Sequence, residues 1–365
     1  MSAKAQSARP AQGDLPRGGR RCDVGNARPP SWWGCVGAAL VTVGLLALGG
    51  CRGPGELRTL DAVVRHRFEG LTAPAVSGLA PFGPGAFVAV HDARMPGSAG
   101  SVTDRVSVIV IGEEGEAMWI PLDLGIGSAE PPKDLESIAA VPGRPDEFLL
   151  LESGGGEPQR RLFRCRVACS VEGRWTVELL GAPIDVLPET RDLANVEAFL
   201  AVRDESGDEV LRLLLADRTP QGSRWGETGL ASVRAVELRL KGESAKRVRT
   251  QTVVVPVPAV AGDGSAEGGQ WRAIADLAVG VDGSLIAVSA RDGGPDGPFE
   301  SLLHRLGRLE GLRLVPGDAR SVRIAGHKVE GLTIFHTDRT DGGILCGSDD
   351  EALGGAVFAV DPPKP

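Results

Sequence analysis

Five times along its 365 residues the chain repeats one short pattern. An acidic residue is followed by a small residue and a large apolar one, and after a variable stretch comes a strongly apolar run that ends on an acidic or polar side chain. The pattern opens at Phe68-Glu69-Gly70-Leu71, Leu135-Glu136-Ser137-Ile138, Val196-Glu197-Ala198-Phe199, Ala275-Asp276-Leu277-Ala278 and Val329-Glu330-Gly331-Leu332, and the fourth copy lacks the small residue after its acid. The apolar runs that follow are 86–92, 148–153, 211–217, 284–289 and 343–349. A unit of this size cannot bury its apolar face alone, so a repeat predicts that neighbouring units stack on one another.

The units read as strands. Apolar residues alternate in 106–111, 175–179, 210–215, 233–240 and 285–289, between segments of Gly, Pro, Asp and Ser, and there is little helical periodicity. Two further strand-like runs follow the first two in the second unit (162–167 and 175–180) and in the fourth (301–306, and 312–314 continuing toward 322–324). Four strands per unit predict an all-β fold, a β-propeller, whose closure into a ring removes exposed sheet edges. Five blades fit the repeat, and six would follow if 253–257 hides a degenerate unit. The last unit, 328–361, has room for about three strands, and 57–67 is expected to supply the strand that completes it. The competing architecture is a pair of β-sandwiches with a chance repeat.

The N-terminus reads as an export signal. Lys4, Arg9, Arg17, Arg20, Arg21 and Arg28 stand against Asp14 and Asp23, and residues 31–50 carry no charge. Leu48-Gly49-Gly50-Cys51 resembles a bacterial lipobox, in which small side chains fit a peptidase cleft and the cysteine thiol takes the diacylglycerol. Each acyl CH₂ adds about 0.8 kcal/mol of membrane affinity, so several chains tether a protein without a membrane-spanning helix. Residues 1–50 are therefore expected to be removed, 51–57 to form the lipidated cysteine and a short linker, and 58–365 to form the propeller. An uncleaved signal anchor is the alternative, and Arg20-Arg21 fits a twin-arginine signal poorly. Arg52 follows the cysteine, which favours the outer membrane if the cell has two.

The net charge of −8 becomes more negative once the basic leader is gone, which argues against nucleic acid as a partner. Cys165, Cys169 and Cys346 remain after the leader and Cys51. Cys165 and Cys169 bridge only if a tight turn separates them; on one extended strand they are too far apart.

The segments Lys328-Val-Glu-Gly-Leu-Thr-Ile-Phe335, 343–350 and 355–361 resemble the closing repeat of phytase-like and SdiA-regulated (esterase-like phytase) β-propellers, and 134–139 with 148–152 resemble their inner strands. The resemblance implies a propeller over most of the mature chain. It also implies an activity class that includes calcium-dependent phosphoesterases beside members without known activity.

Inner strands line the axis of a propeller, so Glu69, Glu136, Glu197, Asp276 and Glu330 are candidates for a ring of carboxylates at its mouth. Such a ring suits Ca²⁺, which takes six to eight oxygens and can activate a bound water. The competing reading gives each acid a structural hydrogen bond to the next blade. A second set, Asp92, Glu152, Asp217, Asp349 and Asp350, ends the second strands and reads as solvated. Residues 338–343 read as a hairpin turn, and 261–269 as a surface loop. His66, His91, His304, His327 and His336 are isolated, Trp119, Trp175, Trp225 and Trp271 read as blade-packing residues, and no nucleophile elbow or phosphate-cradling loop is present. The expected function is a membrane-anchored extracytoplasmic binding module for a ligand, protein or glycan. The alternative is a calcium-dependent phosphoesterase or esterase-like hydrolase with a central acidic site.

Overall fold

The computed structural model describes residues 59–61, 64–67, 75–91, 105–112, 117–122, 132, 134–153, 161–185, 196–203, 210–217, 230–242, 244–256, 270–292, 296–310, 313–337, 340–350 and 355–363. The chain falls into two compact units. Gly49–Ala168 with Trp175–Pro365 holds the propeller. Of the other, Met1–Leu48 with Cys169–Arg174, the described part is a tight turn in which the Ser170 hydroxyl accepts from the backbone N–H groups of Glu172 and Arg174.

All described elements are β-strands, and they form five sheets. Blade 1 is β3 (Gly78–Gly83), β4 (Ala86–Val90), β5 (Val106–Ile111) and β6 (Ala117–Leu122). Blade 2 is β7 (Leu135–Val141), β8 (Arg144–Glu152), β9 (Arg161–Cys169) and an outer strand broken into β10 (Trp175–Leu179) and β11 (Ile184–Asp185). Blade 3 is β12 (Val196–Arg203), β13 (Val210–Asp217), β14 (Leu230–Lys241) and β15 (Ser244–Pro256). Blade 4 is β16 (Gln270–Val279), β17 (Ser284–Asp292), β18 (Glu300–Glu310) and β19 (Arg313–Ala325). Blade 5 is β20 (Val329–Thr337), β21 (Thr340–Ser348) and β22 (Val357–Val360).

The fold is thus the expected five-bladed propeller. The long third interval holds no sixth blade: 253–256 belongs to β15, whose 13 residues pair with the 12 of β14 in one extended hairpin. The stretch from 313 to 325 is one strand, and Thr337 pairs with Thr340 across the hairpin expected at 338–343.

Closure differs from the expectation in one respect. The segment before blade 1 makes two strands rather than one. β1 (Thr59–Asp61) joins β19 of blade 4 in parallel, and β2 (Val64–Arg67) pairs antiparallel with β22 as the fourth strand of blade 5. One short segment therefore fastens two adjacent blades. Its apolar residues are too few to show which strand each would join, because neither partner is near in sequence.

The core is a set of interfaces between blades. Five apolar clusters lie between blades 1 and 2, 2 and 3, 3 and 4, 4 and 5, and 5 and 1. Alternation explains this. On β14, Val233 and Ala235 face blade 4, while Val236, Leu238 and Leu240 face blade 2. Trp175 packs between blades 1 and 2 and Trp119 between 5 and 1, the packing role expected for them. Burying each large side chain contributes about 1.5–3 kcal/mol.

The inner strands β3, β7, β12, β16 and β20 pack on one another around the axis. Their approach requires glycine at Gly78, where a Cβ would meet Ser137 Cα at 2.9 Å and Ile138 N at 3.0 Å, both backbone atoms. We predict that Gly78→Ala costs about 1–3 kcal/mol through overpacking that the inner strand cannot relieve. Chemical denaturation measures this, and an unchanged midpoint would contradict the tight axis.

Candidate functional site

Strand direction sorts the connections onto two faces. At one end the turns within hairpins are short: 84–85, 112–116, 142–143, 204–209, 242–243, 280–283, 311–312 and 338–339, none of them longer than six residues. At the other end lie 91–105, 123–134, 153–160, 186–195, 218–229, 257–269 and 349–356. Long connections on one rigid face are where binding surfaces are usually built. The inner strands begin, and the second strands end, on this loop face.

The register shows which repeated acids are equivalent. Leu135 pairs with Glu152, Val196 with Asp217 and Val329 with Ser348, with the ladder shifting at the next residue. Glu136, Glu197 and Glu330 therefore occupy one position in blades 2, 3 and 5. Glu197 and Glu330 are buried and Glu136 is partly buried. Asp276 does not share that position. It pairs with Val288, as Ser137 pairs with Leu151, Ala198 with Ala216 and Gly331 with Gly347, so it stands where the other blades carry the small residue.

In blade 1 the inner strand opens from Val76-Ser77-Gly78-Leu79, with Gly78 opposite Val90, so the matching position holds Ser77. Glu69 lies outside the described residues. A three-residue signature was too short to fix register here. The distance to the second strand is a weak signal of this, since Glu69 lies 17 residues before Ala86 and the acids of the other units lie 8 to 14 before theirs.

Asp276 ties the hub together. Its Oδ1 accepts from the Leu277 N–H at 2.8 Å and its Oδ2 from the Leu332 N–H of blade 5 at 2.6 Å. The Ser137 hydroxyl of blade 2 also bonds to this carboxyl, while Ser137 Oγ accepts from the Phe199 N–H of blade 3 at 3.2 Å. One carboxyl and one hydroxyl thus link four blades across the axis. Burial raises the Asp276 pKa well above the usual carboxylate range, against the pull of these donors.

At the mouth above, blade 5 holds a buried charge network. The Lys328 ammonium, fully buried, lies 3.1 Å from Asp349 Oδ2 and 3.4 Å from Glu330 Oε1. Asp350 accepts from the Lys328 N–H at 2.8 Å and from the Ser348 hydroxyl at 2.9 Å, and pairs with His327 Nδ1 at 2.8 Å. The Ser301 hydroxyl of blade 4 donates to the His327 carbonyl and accepts from the Val329 N–H, each at 2.9 Å. Lys328 went unnoticed in the sequence, where it is one lysine among many. The signal was its place two residues before the acid at the mouth of an inner strand.

Blade 2 solves the same position differently. Ser153 donates to the Asp134 carboxylate, and Glu152 takes Arg161 in a two-pronged pair at 2.6 and 2.8 Å, with the guanidinium 5.1 Å over the Phe163 ring. Glu152, Asp349 and Asp350 were expected to be solvated strand ends, and all three are buried and paired instead. Asp92 and Cys51 lie outside the described residues, as do the side chains of Asp217, His66 and His336.

The described histidines are packed. His91 sits between the Ala75 carbonyl and Ser107 Oγ, and His304 between Ser289 Oγ and Ser321 Oγ. Burial lowers both to a pKa of about 4, so they stay neutral. Cys165 and Cys169 form no disulfide: four residues along the single strand β9 separate their Cα atoms by about 13 Å. Among the described residues no group of three or more His, Cys, Asp or Glu side chains is arranged to hold a metal ion.

No protein-family model matches the chain, and no curated protein sequence does. Among solved structures it aligns with the PQQ-bound aldose sugar dehydrogenase of Streptomyces coelicolor at 11% identity, over 82% of this chain and 98% of that one, with a TM-score of 0.42. It also aligns with a Parabacteroides distasonis protein assigned as a glycoside hydrolase, at 12% identity over 79% and 87%, again with a TM-score of 0.42. At such identities and scores neither carries an argument about chemistry.

Two outcomes follow from the buried charges. Lys328→Met leaves two buried carboxylates without their cation and should cost about 3–5 kcal/mol in urea unfolding, whereas Lys246→Met on the surface should stay within about 0.5 kcal/mol. For Asp276, the folded pKa lies above the unfolded one. Its favourable contribution is complete below about pH 4 and is lost as pH rises through the folded value. The stability of the native chain relative to Asp276→Asn should therefore fall as pH rises, and a pH-independent difference in melting temperature would contradict the assignment.

Proposed function

We propose that the protein is an extracytoplasmic propeller, tethered to a membrane by lipid on Cys51, that binds its ligand or protein partner on the loop face. The observation that carries this reading is the division of the propeller into two unlike faces. Long connections join the strands at the end where the buried charge network lies, short turns join them at the other, and the Asp276–Ser137 knot crosses the axis between the two ends. A ligand is then held at the mouth rather than passed through the ring. The Gly-Gly-Cys ending of the leader supports the tether.

The binding reading is favoured over the calcium hydrolase by Lys328. At the mouth of blade 5 the chain places its own cation between Glu330 and Asp349, so an ammonium already occupies the position a metal ion would take between them. The buried and neutral state of His91 and His304 also removes both from acid–base work at a solvent-filled site.

The experiment pairs calorimetry of the chain with calcium and turnover of a chromogenic phosphate ester and a carboxylic ester. No heat of calcium binding and no hydrolysis are expected; calcium-dependent turnover would replace this reading with the phosphoesterase one. For the tether, Cys51→Ala should abolish acyl labelling and leave an unprocessed precursor, and unchanged processing would reject it.

A further inference from the structure

The outer rim of the propeller holds an open strand edge beside a preformed cleft. Outer strands present unpaired main-chain N–H and C=O groups, and most of those here are short or interrupted. β6 has six residues with Pro121 among them, β2 has four, and the outer strand of blade 2 breaks at 180–183 between β10 and β11. β19 is covered over 321–323 by β1. β15 is the exception. It runs 13 residues, and among the described residues no strand pairs with its outer edge.

Alongside the first residues of β15 lies a cleft of about 590 Å³, between Gly181–Asp185 of blade 2 and Ala245–Arg247 of blade 3. Its size falls within the range of about 300–1,000 Å³ usual for ligand sites. A strand that faces a cleft with its side chains does so through alternate residues. Three in a row on β15 therefore mean that the edge itself is open to the cleft. The floor is apolar: Ile184 and Ala245, both partly buried, pack against the cluster between blades 2 and 3.

Arg164 fixes both walls. It is buried on blade 2, where its Nε donates to Glu147 at 2.8 Å. Its carbonyl accepts from the Leu180 N–H at 2.7 Å, just before Gly181 turns the chain at a φ of 74°. Its guanidinium donates to the Gly242 carbonyl, in the turn of the β14–β15 hairpin, at 2.6 Å. A cleft held in this way is formed before anything enters it, which lowers the ordering cost of binding.

Main-chain groups in series along one wall, with an apolar floor beneath, suit an extended polypeptide. Its backbone pairs with the edge and its alternate side chains reach the floor. The protein already accepts one such addition, where β1 joins the edge of β19. A second copy of the chain is disfavoured as the occupant. Two β15 edges meeting antiparallel about the cleft would set Lys246 opposite Lys246, and like charges in direct register are destabilising.

We propose that this cleft takes an extended segment of a partner protein, which adds to blade 3 as a fifth strand on β15 and sets an apolar side chain over Ile184 and Ala245. The site is on the rim, apart from the charge network at the mouth, and stands or falls separately from the loop-face and tether readings.

The test follows amide exchange of the full chain, alone and with a peptide of about seven residues that alternates Val and Ser, held at about ten times its calorimetric dissociation constant. The expected result is a slowing of about tenfold at the outward-facing amides of 245–247, absent with the same peptide N-methylated at every residue. Ile184→Ser and Ala245→Arg should each weaken binding about fivefold or more, whereas Val281→Ser in blade 4 leaves it unchanged. No slowing at 245–247, equal slowing by the N-methylated peptide, or unchanged affinity in both cleft variants overturns the proposal. Amides of 245–247 already protected in the free monomer would show that the chain covers this edge itself, and protection that appears only as the chain dimerises would place a second copy there. Either result also overturns it. The exchange measurement needs no variant, so it decides even where a substitution impairs folding.

Discussion

Each blade of this protein is apolar on both faces, and neither face can be left to water. That constraint determines the rest. A sheet with one wet face could end a stack, but these sheets cannot, so each must find a neighbour on either side. Five interfaces for five blades is the solution with no free end. The last interface, between blades 5 and 1, is the costly one, because it joins the two ends of the chain. The strand Val64–Arg67 ties the start of the chain, just before blade 1, to the last strand of blade 5, and Thr59–Asp61 joins the edge of blade 4. A ring fastened over two blades opens only if both strands release.

Closure draws five inner strands toward one line, and the hub shows what that demands. Side chains there must be very small or must replace the hydrogen bonds they displace. Gly78 and Gly331 take the first course. Ser137 and Asp276 take the second, with a carboxyl on which three hydrogen-bond partners converge and whose charged form burial disfavours. The same economy governs the mouth. Lys328, Glu330 and Asp349 are buried together, and Glu152 and Arg161 are paired in blade 2, so these charges are held within the fold.

The two faces divide the work. The loop face offers varied surface above a sealed hub. The short-turn face is closed by hairpin turns of at most six residues.

The sequence by itself determined the all-β class, the repeat, the number of blades and most of the strands, because alternation and turn residues act over a few positions. The run at 106–111 and the strand Trp175–Leu179 coincide with elements of the fold for this reason. Only the tertiary structure decided which repeated acids are equivalent, that Ser77 and not Glu69 stands in blade 1, that Asp276 crosses to Ser137, that Lys328 is buried between carboxylates, and that the N-terminal segment splits between two blades. Each of these depends on residues tens to hundreds of positions apart meeting at the axis or the closure. Local pattern records what a strand prefers and holds no information on which distant strand it will face.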